Sequence, residues 1–188
     1  MRQQYSLTAL SEPVTEPVSV AEVKTFLRIS HEGDDAVLNN YIRAARMFCE
    51  NYTGRGFITR SYRVRYDVMP RGSVVSIPKT PLININSVQT GRAGQSPKTV
   101  PVEAYTVDVD GGKIRWRLDM NRGEPDTALT IEFTAGYGDE MADIPEALRY
   151  AVLLKTAALY ENRGSGSVST ALDLVASLLK PYKYMRVA

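Results

Sequence analysis

One histidine, one cysteine and a few clustered carboxylates are the material from which this 188-residue chain would have to build enzyme chemistry. A hydrolase or transferase needs a nucleophile, a base within reach and a third group to orient that base. His31 lies in the polar run Ser30-His31-Glu32-Gly33-Asp34-Asp35, which reads as a solvated loop. Cys49 recurs with apolar residues at helical spacing and has no histidine beside it to lower its pKa, so it reads as a packed core thiol. Histidine and cysteine are too few to ligate zinc. Asp34 and Asp35 fit the start of a helix, where negative charge meets the positive end of the dipole, and Asp108 and Asp110 fit a strand end and a turn. Gly91-Arg92-Ala93-Gly94 lacks the lysine and hydroxyl of a phosphate-binding loop. Ser165 and Ser167 stand in a flexible linker rather than on a strained strand-to-helix elbow. No catalytic residue, metal or cofactor is expected.

The basic side chains raise nucleic acid as a partner. Arg60, Arg63 and Arg65, and then Lys113, Arg115 and Arg117, alternate along two expected strands. A single-strand-binding face would interleave such cations with exposed aromatics. Here Tyr62, Tyr66 and Trp116 fall on the opposite, apolar register, and Asp67, Asp108 and Glu132 can share the polar face. A solvated sheet face is the expectation. With 23 lysines and arginines against 21 acidic residues, the formal net charge is +2, so any contact with DNA must be local. A lone cysteine excludes an intrachain disulfide and fits a reducing compartment. No stretch approaches the ~20 apolar residues of a membrane span, and the first residues carry no continuous apolar run. The chain is expected to be soluble and cytosolic when made, with no membrane partner.

The elements that would position these residues fall in three blocks. Ser19-Val20-Ala21-Glu22 is a capping box opening a short helix to about Ile29, with Pro17 setting its entry. A second helix runs from about Asp34 to Thr53, with Val37, Leu38, Tyr41, Ile42, Ala45, Phe48, Cys49 and Tyr52 at helical spacing and Gly54 as its stop. After Gly56 the period changes from that of a helix to that of a strand. Tyr62, Val64, Tyr66 and Val68 point one way, Arg63, Arg65 and Asp67 the other. Similar runs recur at Val75–Pro78, Leu82–Val88, Tyr105–Val109, Lys113–Leu118 and Leu129–Ala135, giving about six mostly antiparallel strands. A helix from about Ile144 to Arg163, a hinge at Gly164-Ser165-Gly166-Ser167 and a last helix from about Ala171 to Lys180, ended by Pro181, complete the chain. The last helix places Leu172, Val175, Leu178 and Leu179 on its apolar side. Helices, then strands, then helices point to an α+β fold: a helical scaffold carrying an antiparallel β insertion between its second and third helices. The expected divisions are 1–58 (helical), 59–138 (β-rich) and 139–188 (helical, with a tail).

The stretch from Phe133 to Arg163 is the most informative. A strand ends in the turn Ala135-Gly136-Tyr137-Gly138, an acidic run Asp139, Glu140 and Asp143 precedes the long helix, and Pro145 is expected in its first turn. Apart from a stripe near Glu146, Arg149, Thr156, Tyr160 and Arg163, that helix is apolar almost all round. It is therefore either the central helix of the domain or a helix that also meets a neighbouring subunit. On the second reading the candidate subunit interface is Arg149, Leu153, Thr156, Tyr160 and Arg163. The tail after Pro181 holds two tyrosines, a methionine and two cations, the content of an interface anchor, so Tyr182, Lys183, Tyr184, Met185 and Arg186 form a candidate docking tail that would be mobile in the free subunit.

These pieces occur in a shared order: Glu16-Pro17-Val18-Ser19 through Lys24, Leu27-Arg28, the acidic loop before the second helix, Tyr52-Thr53-Gly54-Arg55 with Ile58-Thr59, Pro81-Leu82, Ile85 to Val88, Tyr105, and the long segment ending Tyr160-Glu161-Asn162-Arg163. In that order the chain resembles the head-to-tail connector (adaptor) proteins of long-tailed bacteriophages. The resemblance implies a structural virion protein without enzyme activity, one copy of a ring, typically a dodecamer, in the virion neck. It implies a portal protein above, a stopper or tail-completion protein below, genomic DNA passing through the channel without sequence-specific binding, and assembly in the host cytoplasm. It also implies that the C-terminal segment reaches the portal. The rival expectations are another neck component, such as a stopper or tail-completion protein, and a DNA-binding module.

Overall fold

The computed structural model describes residues 5–92, 94–117, 127–162 and 169–184, with side chains from 173 onward in the last segment. The fold is α+β, with four α-helices and eight antiparallel-paired strands among the described residues. The chain divides into two compact units: one holds the described residues up to Glu12 and from Thr59 to Gly136, the other Pro13–Ile58 and the described residues from Tyr137 onward.

The first unit contains every strand among the described residues: β1 (Tyr5–Ala9), β2 (Arg60–Tyr66), β3 (Val74–Ser76), β4 (Leu82–Gly91), β5 (Lys98–Thr99), β6 (Tyr105–Asp108), β7 (Lys113–Trp116) and β8 (Ala128–Ala135). They form a five-stranded sheet in the order β1-β2-β8-β4-β5 and a three-stranded sheet in the order β3-β7-β6. Period-two burial sets the register. Tyr62, Val64 and Tyr66 face Phe133, Ile131 and Leu129 on the inner side, and all six are buried. Tyr62 and Phe133 stack with centroids 5.5 Å apart. Val75, Ile114 and Trp116 of the smaller sheet join the same core. On the outer side Arg63 pairs across the strands with Glu132 at 2.6 Å, and Arg65 pairs with Asp67, two residues further along the chain, at 3.4 Å, so part of the basic face is neutralised by nearby acids.

Two strands escape the sequence reading. β1 is an edge strand in which only Tyr5 and Leu7 reach the core, too short an alternation to stand out. β5 has two residues. β4 runs on to Gly91 because its polar end pairs with β8 as far as Ala128, and two register shifts blur its alternation. Val68, expected to face inward, lies beyond the end of β2 and is exposed. Leu118 and the hinge 164–167 lie outside the described residues.

The second unit contains α1 (Val20–Leu27), α2 (Asp35–Thr53), α3 (Glu146–Glu161) and α4 (Ser169–Leu179). Ser19 and Glu22 close the expected capping box, Ser19 Oγ accepting from the Glu22 N–H at 3.1 Å and Glu22 Oε2 from the Ser19 N–H at 2.7 Å. Gly54 ends α2 in the left-handed region, φ 74°, where a Cβ is unfavourable. Pro145 stands immediately before the first turn of α3 rather than within it. After α4 a 3-10 turn over Lys180–Tyr182 absorbs Pro181 instead of breaking the chain there.

Candidate functional site

α3 is the centre of the helical unit. Leu148, Ala151, Val152, Ala157 and Ala158 are buried, and the helix meets α1, α2 and α4. Its apolar surface is thereby largely used inside the subunit. The polar stripe along it is also engaged. Arg149 donates from Nε to the Pro17 carbonyl at 3.1 Å and from Nη2 to Glu22 at 2.5 Å, tying α3 to the entry of α1. Burial opposes ionisation of Glu22, but the bonds from Ser19 and the Arg149 cation outweigh it and hold the carboxyl below its ordinary value. Thr156 is fully buried and donates to the Val152 carbonyl at 2.8 Å. Tyr160 donates its hydroxyl to Asp34 at the start of α2. Leu153 is half-buried against the helical core. Four of the five residues singled out on this helix thus make contacts within one subunit, and Arg163 lies outside the described residues.

A buried ion cluster fastens the two ends of this unit's first segment. Arg46, on the inner face of α2, donates to both oxygens of Glu16, from Nε at 2.7 Å and Nη2 at 3.2 Å, and from Nη1 to Glu50 at 3.3 Å. Glu50 in turn accepts the Phe57 N–H at 2.9 Å. Burial disfavours the Arg46 charge, yet its bonds to Glu16 and Glu50 more than compensate, so the guanidinium is held more firmly charged than usual. Nothing in the hydrophobic periodicity announced this cluster. The available signal was an Arg and a Glu four residues apart beside the column Leu38, Ile42, Ala45, Cys49. Cys49 is buried as expected, and burial pushes its thiol up to about 12.

The start of the tail is latched rather than free. Arg55 Nε donates to the Tyr182 carbonyl at 2.6 Å, the Tyr184 N–H to the Thr53 carbonyl at 2.7 Å, and Lys183 Nζ lies 5.3 Å from the Tyr52 ring centroid. The Arg55 guanidinium also stands 6.0 Å from the centroid of Tyr137, whose hydroxyl burial pushes up against the opposing pull of that cation. Tyr182, Lys183 and Tyr184 thus make contacts with the C-terminal end of α2 and the residues just after it. Met185 and Arg186 lie outside the described residues.

Sequence reasoning did not single out an exposed apolar column on α2. Val37, Tyr41 and Phe48 share the helical spacing of the buried column of α2, which is Leu38, Ile42, Ala45 and Cys49. The first set lies one residue away, about 100° around the helix, with Val37 and Phe48 36% and 39% exposed. Among the described residues there is no group of His, Cys, Asp or Glu arranged to hold a metal ion, and no helix is long and apolar enough to cross a membrane.

The similar proteins belong to assemblies. A chain in the neck of an empty gene transfer agent particle, computed with sixfold symmetry, superposes with a TM-score of 0.82 at 25% identity, with 97% of each chain covered. A chain of the native gene transfer agent virion matches equally, with a TM-score of 0.82 at 25% identity over 97% of each chain. The neck of the native particle, computed with twelvefold symmetry, gives 0.79 at 25% identity, again over 97% of both chains. No curated protein matches the sequence. A family model described as head completion protein matches residues 16–165, four-fifths of the sequence, and the chain belongs to that family.

Proposed function

We propose that this protein is the adaptor ring of a phage-like neck: copies of the chain encircle the DNA channel, bind the portal above and receive a stopper or tail component below. The observation that carries this reading is the superposition over 97% of both chains with a subunit of a neck computed with twelvefold symmetry, at a TM-score of 0.79. In this reading the four helices are the connector scaffold and the β unit is an insertion between α2 and α3, joined at its edge by the N-terminal strand β1. The helical unit supplies the subunit contacts, and the C-terminal segment, anchored through Tyr182 and Tyr184, directs residues from 185 onward to the portal. DNA passes without sequence-specific binding, in keeping with a net charge of +2 and with arginines on the sheet face paired to Glu132 and Asp67. The protein works by holding partners in place, with no catalytic step and no cofactor.

Affinity capture separates this role from its nearest rival. The chain should bind purified portal protein of its own particle and lose that binding when residues 185–188 are deleted, with thermal stability unchanged. Binding to tail components but not to the portal would assign it instead to the stopper or tail-completion position.

A further inference from the structure

α2 carries more apolar surface than its own bundle uses. Val37, Tyr41, Ala44 and Phe48 follow one another at steps of four, three and four residues on the column next to the buried one, the spacing of a seam that meets another element. Ala44, Met47 and Phe48 are exposed. The lower half of the seam is a ladder of rings and cations. Lys155 Nζ of α3 stands 4.6 Å from the Phe48 centroid, Phe48 stacks on Tyr52 at 6.4 Å, and Lys183 Nζ covers Tyr52 at 5.3 Å. Arg43 adds a third cation on the exposed side of α2. The helix's two carboxylates do not offset them: Asp35 pairs with Lys24 at its far end, and Glu50 is buried against Arg46. The seam is thus apolar and bordered by positive charge.

The same unit carries a surface of opposite character. Asp139 and Glu140 are exposed in the turn before α3, followed by half-buried Met141 and exposed Ala142. The turn is held in shape, because Glu140 and Asp143 cap it reciprocally, the Glu140 N–H donating to Asp143 Oδ2 at 3.0 Å. Two unlike, complementary surfaces on one chain are what a heterologous contact requires, and repeated rotation of such a contact closes a ring. Methionine against aromatic rings and carboxylates against lysines would satisfy both halves of the pairing.

We propose that the α2 seam with Lys155 and Lys183 receives the acidic turn 139–142 of a second copy of this chain. The inference rests on the ring reading above and names the contact that builds the ring. Nucleic acid fits the seam less well: the cations lie over the Phe48 and Tyr52 rings, the surfaces on which bases would stack.

Charge reversal tests the pairing. Lys155→Glu/Lys183→Glu gives a chain whose seam and turn are both acidic, and Asp139→Lys makes the turn more basic beside a basic seam. Each variant alone should self-associate at least ~10-fold more weakly than the wild type by analytical ultracentrifugation. Mixed in equal amounts, the two should alternate around an even-membered ring and recover the wild-type oligomer. Circular dichroism melting checks that each still folds. Wild-type assembly by either folded variant alone, or failure of the mixture to recover the oligomer, overturns the proposal while leaving the ring reading intact. Loss of salt-sensitive DNA binding in the lysine variant with self-association unchanged overturns it in favour of nucleic acid. A wild type that is monomeric both alone and on its portal overturns the ring reading itself, and this inference with it.

Discussion

Replacing Arg46 by methionine removes the cation that Glu16 and Glu50 share, while keeping a side chain of similar length in the core. Arg46 and Glu50 are each only 2% exposed, so the loss strands a carboxylate where water cannot compensate it. Breaking a buried pair from one side costs about 3–5 kcal/mol, a large share of the roughly 5–15 kcal/mol that holds an ordinary domain folded. At about 2–4 °C per kcal/mol for a chain of this size, the helical transition should fall by roughly 6–20 °C. The helical circular dichroism signal and calorimetry should be read together, as a test that the transition is two-state. Adding Glu50→Gln removes the stranded charge while its amide oxygen can still accept the Phe57 N–H, and should restore roughly half of the loss. Arg65→Ala, which breaks an ion pair between side chains 58% and 86% exposed, should stay within about 0.5 kcal/mol of the wild type. An Arg46→Met protein as stable as the Arg65→Ala protein would refute the claim that this cluster fastens residue 16 and the loop after Gly54 to α2.

Cys49 should react with a thiol reagent at neutral pH only as fast as the protein unfolds; rapid stoichiometric labelling of the native protein would contradict its burial. Its folded pKa is raised to about 12 from 9.0, so the native state keeps a proton that the unfolded chain has lost, and stability should decline as pH rises through that window. Arg55→Ala removes the charged hydrogen bond to the Tyr182 carbonyl, worth about 1.5–3 kcal/mol, and should abolish hydrogen-exchange protection at the Tyr184 N–H; unchanged protection would show that the latch does not depend on Arg55. The carboxyl of Glu22 is depressed below 4.5, so its contribution is present above that value and disappears as pH falls through the folded pKa. Wild type and Glu22→Gln should therefore converge in stability on acidification, and parallel curves would contradict the Ser19–Glu22–Arg149 linkage.

Local signals proved the most legible. The Ser19–Glu22 box, the Gly54 stop and the alternation of Tyr62, Val64 and Tyr66 each depend on a few neighbouring residues, and each stands where the sequence put it. Elements stabilised from a distance were harder to find: β1 exists because β2 offers it an edge, and Arg46 is tolerated inside because Glu16, 30 residues earlier, reaches it. Which face of α2 turns inward was not legible, for a physical reason. Val37 and Leu38, Tyr41 and Ile42, and Phe48 and Cys49 are adjacent pairs, and periodicity alone cannot choose which member of each pair turns inward. On α3 the engagement of Arg149, Thr156 and Tyr160 within the subunit could not be read from one helix, because their partners are Pro17 and Glu22, the helix's own backbone, and Asp34.

Cryo-electron microscopy of the protein assembled on the portal of its own particle tests the central claim most directly. The account predicts a closed ring of copies, coaxial with the portal, with the helical units in mutual contact and the α2 seam of each copy covered by the 139–142 turn of the next. A monomer bound to the portal, or density confined to the tail side of the neck, would contradict it.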